Sequence, residues 1–186
     1  MILPAAKYSG ASLDGRVIII MGVSGCGKST VGRSLAGQLG YSFADADDFH
    51  SPANKAKMQA GYPLSDEDRA QWLTKLQELI AAWLKEGHRV VLACSALKEK
   101  YRQILRSPAQ FFPPGPVSPI TFVYLQGSFH LIAGRLKTRE NHFMNPALLA
   151  SQFSALEEPG SDEALIFEID KNPEELADQI KAKLPK

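Results

Sequence analysis

The chain has 186 residues, of which 45% are hydrophobic and 22% charged, and its 21 basic residues nearly balance its 20 acidic residues. This profile is typical of one globular domain that needs no disulfide bonds, and it argues against nucleic acid as a partner. No apolar run is long enough to cross a membrane, and two cysteines without metal-site spacing fit a reducing compartment, so we expect a cytoplasmic protein.

Strands and helices are predicted to alternate along the chain. Strands are predicted at 16–21, 41–44, 89–93, 121–125 and 165–169. Helices are predicted at 29–39, 55–59, from Ser65 to a stop at Gly87, at 98–105, 129–139 and 147–155, and after a cap at Asn172. Region 107–119 holds five of the twelve prolines and is predicted to be a loop. The order predicts an α/β fold with a parallel sheet and helices on both faces.

The first predicted strand is followed by a complete phosphate-loop motif, G-x-x-x-x-G-K-S. Successive backbone N–H groups in such a loop point at phosphate oxygens, and the helix that follows adds its positive end. The interpretation assigns nucleotide binding to Gly22, Ser24, Gly25, Cys26, Gly27, Lys28, Ser29 and Thr30. The lysine should reach the β- and γ-phosphates, and the serine hydroxyl should coordinate Mg²⁺. The alternative is a glycine-rich turn without a ligand.

Cys26 occupies a variable position of this motif. A small residue in a tight loop explains it well enough. A thiol at a helix N-terminus can nevertheless have a lowered pKa, so oxidation of Cys26 impairing nucleotide binding is a second hypothesis.

Three carboxylates follow the second predicted strand in the run Asp45-Ala46-Asp47-Asp48. Ligands of open α/β sheets bind where strands end, and a kinase needs one acid near the metal and another at the acceptor hydroxyl. In an extended segment Asp45 and Asp47 would share a face. We assign Asp45 to the Mg²⁺ shell and Asp47 to the acceptor hydroxyl. An acidic surface turn is the alternative.

The order of these motifs resembles the gluconokinase family, which phosphorylates D-gluconate with ATP to give 6-phosphogluconate. The resemblance runs from about Arg16 to the C-terminus. It is carried by MGVSGCGKSTVG (21–32), DADDFH (45–50), PLSDEDRAQWL (63–73), VVLACSALKEKYRQILR (90–106), GSFHLIAGRLKTRENHFM (127–144), LLASQFSALEEP (148–159) and DKNP (170–173). The phosphate loop is shared with many families, whereas CSALK followed by YR is far more specific.

The resemblance implies a P-loop fold of the nucleoside-monophosphate-kinase type, with a five-stranded parallel sheet and a short lid at about 135–146. It also implies a homodimer. Residues 16–186 would form a single kinase domain, and residues 1–15 would be an N-terminal extension. ATP and Mg²⁺ are the expected cofactors.

An anionic sugar acid requires cations at the site, and four polar residues are candidates for binding it. Arg69 lies in the first turn of a helix, where acids are normally preferred, and so has another purpose there. Ser95, Lys98 and Arg102 follow the third strand, and the last two are four apart on a predicted helix. Each of these charges could also be a solvated surface group.

Two further arginines, Arg135 and Arg139, are four apart on a predicted helix. In adenylate-kinase-like enzymes such lid arginines stabilise charge on the transferred phosphoryl group, so Arg135 is assigned a catalytic role beside Lys28 and Asp47. The alternative is a basic helix with surface ion pairs. Asn172 resembles a residue of the adenine-contacting loop, and a plain helix cap explains it equally well.

Two other functions remain open from the sequence. A shikimate- or nucleotide-type kinase on the same fold would suit the aspartate pair equally well, although the CSALK segment does not belong to those families. A non-enzymatic nucleotide switch would keep the phosphate loop but would need neither Asp47 nor Arg69.

Overall fold

The structure, a computed structural model, describes residues 15–112, 118–137 and 146–185. Five strands alternate with seven helices within these ranges. The strands are β1 (Arg16–Met21), β2 (Ser42–Asp45), β3 (Arg89–Ala93), β4 (Ile120–Gln126) and β5 (Leu165–Glu168). The helices are α1 (Lys28–Leu39), α2 (Pro52–Gln59), α3 (Asp66–Lys85), α4 (Glu99–Arg106), α5 (Phe129–Lys137), α6 (Pro146–Ala155) and α7 (Pro173–Lys183).

The strands form one parallel sheet in the order β2-β3-β1-β4-β5. The predicted sheet is thereby confirmed. β1 lies at its centre, with β3 on one side and β4 on the other. The strands β2 and β3 are added on one side of β1, and the later strands β4 and β5 on the other, so the strand order reverses at β1. Ligands of such sheets bind outside the carboxyl ends of the strands at this reversal. The phosphate loop and the acidic turn leave the sheet at this edge.

Alternating side chains of β1 divide the core into two layers. Val17 and Ile19 pack with α3 and α4 on one face, whereas Ile18 and Ile20 pack with α1 and α7 on the other. All four are fully buried. A strand buried on both faces needs a continuous apolar run, which explains the sequence RVIIIM.

Helix ends follow the chemistry expected from the sequence. Ser65 and Asp68 form a reciprocal capping box at the start of α3, and the Ser65 hydroxyl accepts the Asp68 N–H at 3.1 Å. Asn172 caps α7 by accepting two backbone N–H groups. These caps set the direction in which each helix leaves the site edge.

Three local expectations are corrected. Residues 107–111, predicted as loop, form a 3-10 helix. A second 3-10 helix covers 46–49, so the segment after Asp45 is not extended. Helix α4 begins at Glu99, with Lys98 as its non-helical cap, so Lys98 and Arg102 do not share a helical face. The predicted lid at about 135–146 and the extension 1–15 lie largely outside the described residues. Within the described part of the chain, no helix is long and apolar enough to cross a membrane.

Candidate active site

The phosphate loop joins β1 to α1 and has the backbone that its glycines allow. Gly25 has φ +83°, and a Cβ there would lie 2.9 Å from the side chain of Leu136. Gly27 (φ 102°) precedes α1 in a left-handed conformation and leaves this helix without a side-chain cap or an acid in its first turn. Since α2, α3 and α7 are capped by side chains, the uncapped N–H groups of α1 are available to an anion.

Two residues of this loop are held by local contacts. Lys28 donates from Nζ to the carbonyl of Val23 at 3.0 Å, which lays its ammonium group along the loop. Gly22 donates its N–H to the carbonyl of Ser95 at 3.3 Å. Ser95 thus contacts the phosphate loop through its backbone and is not among the residues that line the acceptor cavity described below.

The cysteine of the loop is buried. Cys26 is 1% exposed, and this burial raises the pKa of its thiol although Lys28 opposes the shift. Cys94 is equally buried, and burial raises its pKa to about 12. The hypothesis of a thiol activated by the helix N-terminus is therefore wrong, because a buried neutral thiol is a poor nucleophile.

A hydroxyl and a carboxylate meet at the foot of α1. The Ser29 hydroxyl donates to Oδ2 of Asp45 at 2.7 Å, and Oδ1 of Asp45 accepts the Asp47 N–H at 3.1 Å. These two acidic residues lie close together because Asp45 caps the 3-10 helix, not because the segment is extended. Oxygen donors of this kind fit Mg²⁺, which binds to one or two protein oxygens together with substrate phosphates. Among the described residues, no cluster of three or more His, Cys, Asp or Glu could hold a metal by itself.

The exposed side chain of Asp47 lies next to a buried pair of aromatic rings. Its side chain is 76% exposed, and Oδ1 lies 3.9 Å from Nε2 of His50. The His50 ring stacks on Trp72 at a centroid distance of 4.3 Å, and the Trp72 indole donates to the carbonyl of Ala46 at 2.8 Å. Burial lowers the pKa of His50 to about 4, with further lowering from Arg69 and Lys55. His50 is thus neutral near pH 7.

A cavity of about 400 Å³ lies on one side of the phosphate loop. It is lined by loop residues with Thr30, Arg135 and Asn172, so three residues assigned to the nucleotide from distant parts of the sequence come together. The Arg135 guanidinium donates to the carbonyl of Ile169. The Asn172 side-chain oxygen accepts the N–H groups of Glu174 and Glu175 at 3.1 and 3.0 Å and therefore serves as the helix cap. Arg139 lies outside the described residues.

A second cavity, of about 430 Å³, lies between the start of α3, the start of α4 and helix α6. We call it the acceptor cavity; its polar lining comprises Ser65, Asp66, Glu67, Arg69, Lys98, Ser151 and Gln152. Arg69 donates to the carbonyl of Leu64 at 2.6 Å, and Lys98 donates to Asp66 at 2.8 Å. Two basic side chains assigned to the acceptor from sequence thus face one cavity.

Asp66 was missed at the sequence level. Its carboxylate accepts from Lys98, from Lys100 at 2.5 Å and from the hydroxyl of Tyr101. These donors hold the pKa of Asp66 well below its usual range, led by the bond from Lys100. An acid in the first turn of a helix is so common that nothing in the sequence distinguished this one.

Arg102 does not face the acceptor cavity, which corrects the prediction that it binds the substrate. It is 1% exposed and forms a bidentate pair with Glu163 at 2.7 and 2.9 Å. Its Nη1 group donates to three backbone carbonyls, those of Ala96, Leu97 and Glu157. With all three guanidinium nitrogens bonded inside the protein, Arg102 supports the turn that carries Lys98 instead of binding a ligand.

Known proteins resemble this chain over nearly its whole length. A probable gluconokinase of Rattus norvegicus is 48% identical over 172 residues, which cover 87% of this chain and 93% of the rat protein. The gluconokinase of Arabidopsis thaliana is 46% identical over 90% of this chain and 92% of its own length. The chain belongs to the gluconokinase family.

Two broader comparisons agree with membership of the gluconokinase family. The crystal structure of a gluconokinase from Sinorhizobium meliloti matches with a TM-score of 0.78 at 38% identity, covering 91% of each chain. The profile of the shikimate kinase family matches residues 24–184. Because P-loop kinases share this fold, the profile match identifies only the wider group of kinases. The gluconokinase relatives identify the family within that group. The chain is a kinase, and the alternative of a non-enzymatic switch protein is excluded.

Proposed function

We propose that this chain transfers the γ-phosphoryl group of ATP to the terminal hydroxyl of D-gluconate, giving 6-phospho-D-gluconate. The observation that carries the proposal is the similarity, at 46–48% identity, to proteins named as gluconokinases. The site is chemically suited to this reaction, because a phosphate loop stands beside a cavity lined by Arg69 and Lys98. Arginine and lysine side chains suit an acceptor that carries a carboxylate.

The nucleotide would occupy the phosphate loop and the cavity beside it. Backbone N–H groups of the loop would hold the phosphates, apart from those of Gly22, Ser24 and Cys26, which donate within the protein. Lys28 would lie at the β- and γ-phosphates and Asn172 near the adenine. Ser29 and Asp45 would hold Mg²⁺, which supplies positive charge to the phosphate oxygens when it is bound. Arg135, joined by Arg139 from the proposed lid, would stabilise the charge on the transferred group.

The acceptor would lie between Asp47 and the part of the acceptor cavity that holds Arg69 and Lys98. Asp47 would orient the terminal hydroxyl and take up its proton, since its carboxylate is exposed and, unlike that of Asp45, is not bonded to Ser29. Arg69 and Lys98 would hold the carboxylate of gluconate. Ser95, which follows β3 and contacts the phosphate loop, would also bind the substrate. The hydroxyl oxygen would lose its proton to Asp47 and bond to the γ-phosphorus, while the bond from that phosphorus to the bridging oxygen breaks and ADP leaves.

A coupled assay of ADP release tests the proposed activity. We expect Mg²⁺-dependent turnover with gluconate, little with other sugar acids, and none with shikimate or nucleoside monophosphates. The shikimate kinase profile makes shikimate the most informative competing acceptor. Turnover with shikimate and none with gluconate would overturn the proposal.

The proposal also includes a homodimer in the cytosol. Each subunit would have one kinase domain at 16–186, with a lid at about 135–146. These features rest on the family resemblance. Light scattering of the purified chain measures its mass in solution, and a monomer at micromolar concentration would contradict the dimer.

A further inference from the structure

The side chain of Gln152 bridges the phosphate loop and the acceptor cavity. Its Oε1 accepts the backbone N–H of Ser24 at 2.6 Å, and the residue also lines the cavity that contains Arg69 and Lys98. Ser24 and Gln152 are 128 positions apart in the chain. One short amide group therefore touches both the donor half and the acceptor half of the site.

The chemistry of the contact determines which way the amide faces. A backbone N–H can only donate, so the carbonyl oxygen of the Gln152 side chain must face Ser24 and its NH₂ group must face away. Among the described residues, nothing accepts a hydrogen bond from that NH₂ group. The cavity wall thus presents an oriented neutral donor that has no partner in the part of the chain that the structure describes.

Helix α6 holds this donor in place. Leu149, one turn earlier, is 2% exposed in the core, and Phe153 packs edge-on against Phe129 at 5.4 Å. Just beyond the helix, the Glu157 N–H donates to the carbonyl of Leu97 at 2.9 Å. Because both its backbone and its oxygen are fixed, Gln152 loses little side-chain entropy when a ligand accepts from it.

We propose that Gln152 is an acceptor-binding residue whose NH₂ group donates to a hydroxyl oxygen of the polyol chain while its Oε1 stays on Ser24. The inference rests on the proposed function. It adds that a neutral amide recognises a hydroxyl group of the acceptor by donating a hydrogen bond to it. Charged Arg69 and Lys98 suit the carboxylate, whereas an uncharged donor suits a hydroxyl. Its bond to Ser24 also fixes the acceptor relative to the loop that holds the donor phosphates.

Two substitutions separate the two ends of the amide. Gln152→Glu keeps an oxygen that accepts from Ser24 but removes the donor, and Gln152→Ala removes both. We expect both variants to raise the KM for gluconate about tenfold, which corresponds to the loss of one well-made hydrogen bond. In Gln152→Ala, which adds no charge beside the phosphate loop, the KM for ATP should change less than about twofold. Ser154→Ala, at an exposed position of the same helix, serves as the matched control and should change neither.

Gluconate analogues that each lack one hydroxyl distinguish ligand contact from a structural role. In the wild type, one analogue should bind about tenfold more weakly, and Gln152→Ala should show no further loss with that same analogue. Additive losses for every analogue would overturn the inference. So would a tenfold loss of affinity for the ATP analogue AMPPNP in Gln152→Ala, because the residue would then act through the phosphate loop.

The outcome for Gln152 is separable from that for the proposed function. Wild-type turnover with gluconate, together with an unchanged gluconate KM in Gln152→Ala, overturns the inference alone. A wild-type chain without turnover on gluconate overturns both.

Discussion

The Ser29 hydroxyl donates to the Asp45 carboxylate at 2.7 Å and so joins the first turn of α1 to the end of β2. The second carboxylate oxygen of Asp45 accepts the Asp47 N–H at 3.1 Å. The pair is therefore a compact oxygen-donor set beside the proposed phosphate position.

Asp45→Asn should weaken the proposed metal site while keeping the cap on Asp47, because an amide oxygen still accepts an N–H. We expect activity to fall by about 10- to 100-fold and the Mg²⁺ concentration needed for half-maximal activity to rise. A Mg²⁺ titration of the coupled assay measures both. Asp48→Asn, at the exposed neighbouring acid, is the control, and equal effects in the two variants would contradict a specific role for Asp45.

Asp47→Ala should remove the group that accepts the hydroxyl proton. Loss of a general base typically lowers turnover by about 10²- to 10⁴-fold, and the affinity for ATP should be nearly unchanged because Asp47 is not among the residues that line the cavity beside the phosphate loop. Single-turnover kinetics with a separate nucleotide-binding titration distinguish the two effects. Full turnover in this variant would remove Asp47 from the mechanism.

Arg102→Met and Arg69→Met should have opposite consequences. The first leaves Glu163 without its bidentate partner in a nearly buried site and should lower the free energy of unfolding by about 3 kcal/mol. The second should raise the KM for gluconate with a smaller change in stability. Urea unfolding and steady-state kinetics on both variants provide the comparison. A stable Arg102→Met variant with a raised KM would restore the sequence-based assignment.

Gly25→Ala, in the phosphate loop, and Gly37→Ala, away from the site, are a matched pair of glycine substitutions. At Gly25 a side chain meets both a positive φ and the Leu136 side chain, so we expect about 1–2 kcal/mol of destabilisation and weaker nucleotide binding. At Gly37, inside α1, a Cβ has no neighbour within 4 Å, so alanine should stabilise the protein by up to about 1 kcal/mol. Thermal unfolding with and without AMPPNP measures both, and equal shifts would contradict the assigned loop strain.

His50 should make stability depend on pH. Its pKa falls from 6.5 to about 4 on folding, so between these values the unfolded chain binds more protons than the folded protein. Stability should therefore decrease as the pH falls from about 6.5 towards 4, by on the order of 2 kcal/mol, and this term should level off below that. His50→Phe keeps a ring against Trp72 without a titrating group. Urea midpoints from pH 4 to 7 should show a flatter profile for this variant.

The strand and helix order was predictable because each element carries its own local signal. The apolar run of β1, the capping box at Ser65 and the Asn172-Pro173 helix start depend only on neighbouring residues. The shape of the acidic turn was not predictable in the same way. The choice between an extended segment and a 3-10 helix after Asp45 depends on the Trp72 and His50 packing beneath it, which joins distant parts of the chain.

By itself, the sequence determined the fold class, the phosphate loop and the family, because glycine spacing and apolar periodicity are local properties and long motifs are specific. Only the tertiary structure decided which polar side chains face the cleft. Arg69 and Arg102 look equally suitable as cations, yet one lines the acceptor cavity and the other is buried on Glu163, 61 positions away. The contact between Ser24 and Gln152 likewise exists only once α6 packs beside the loop. Whether a charged side chain faces a ligand or is buried in the core depends on partners that are distant in sequence. No local sequence pattern identifies those partners.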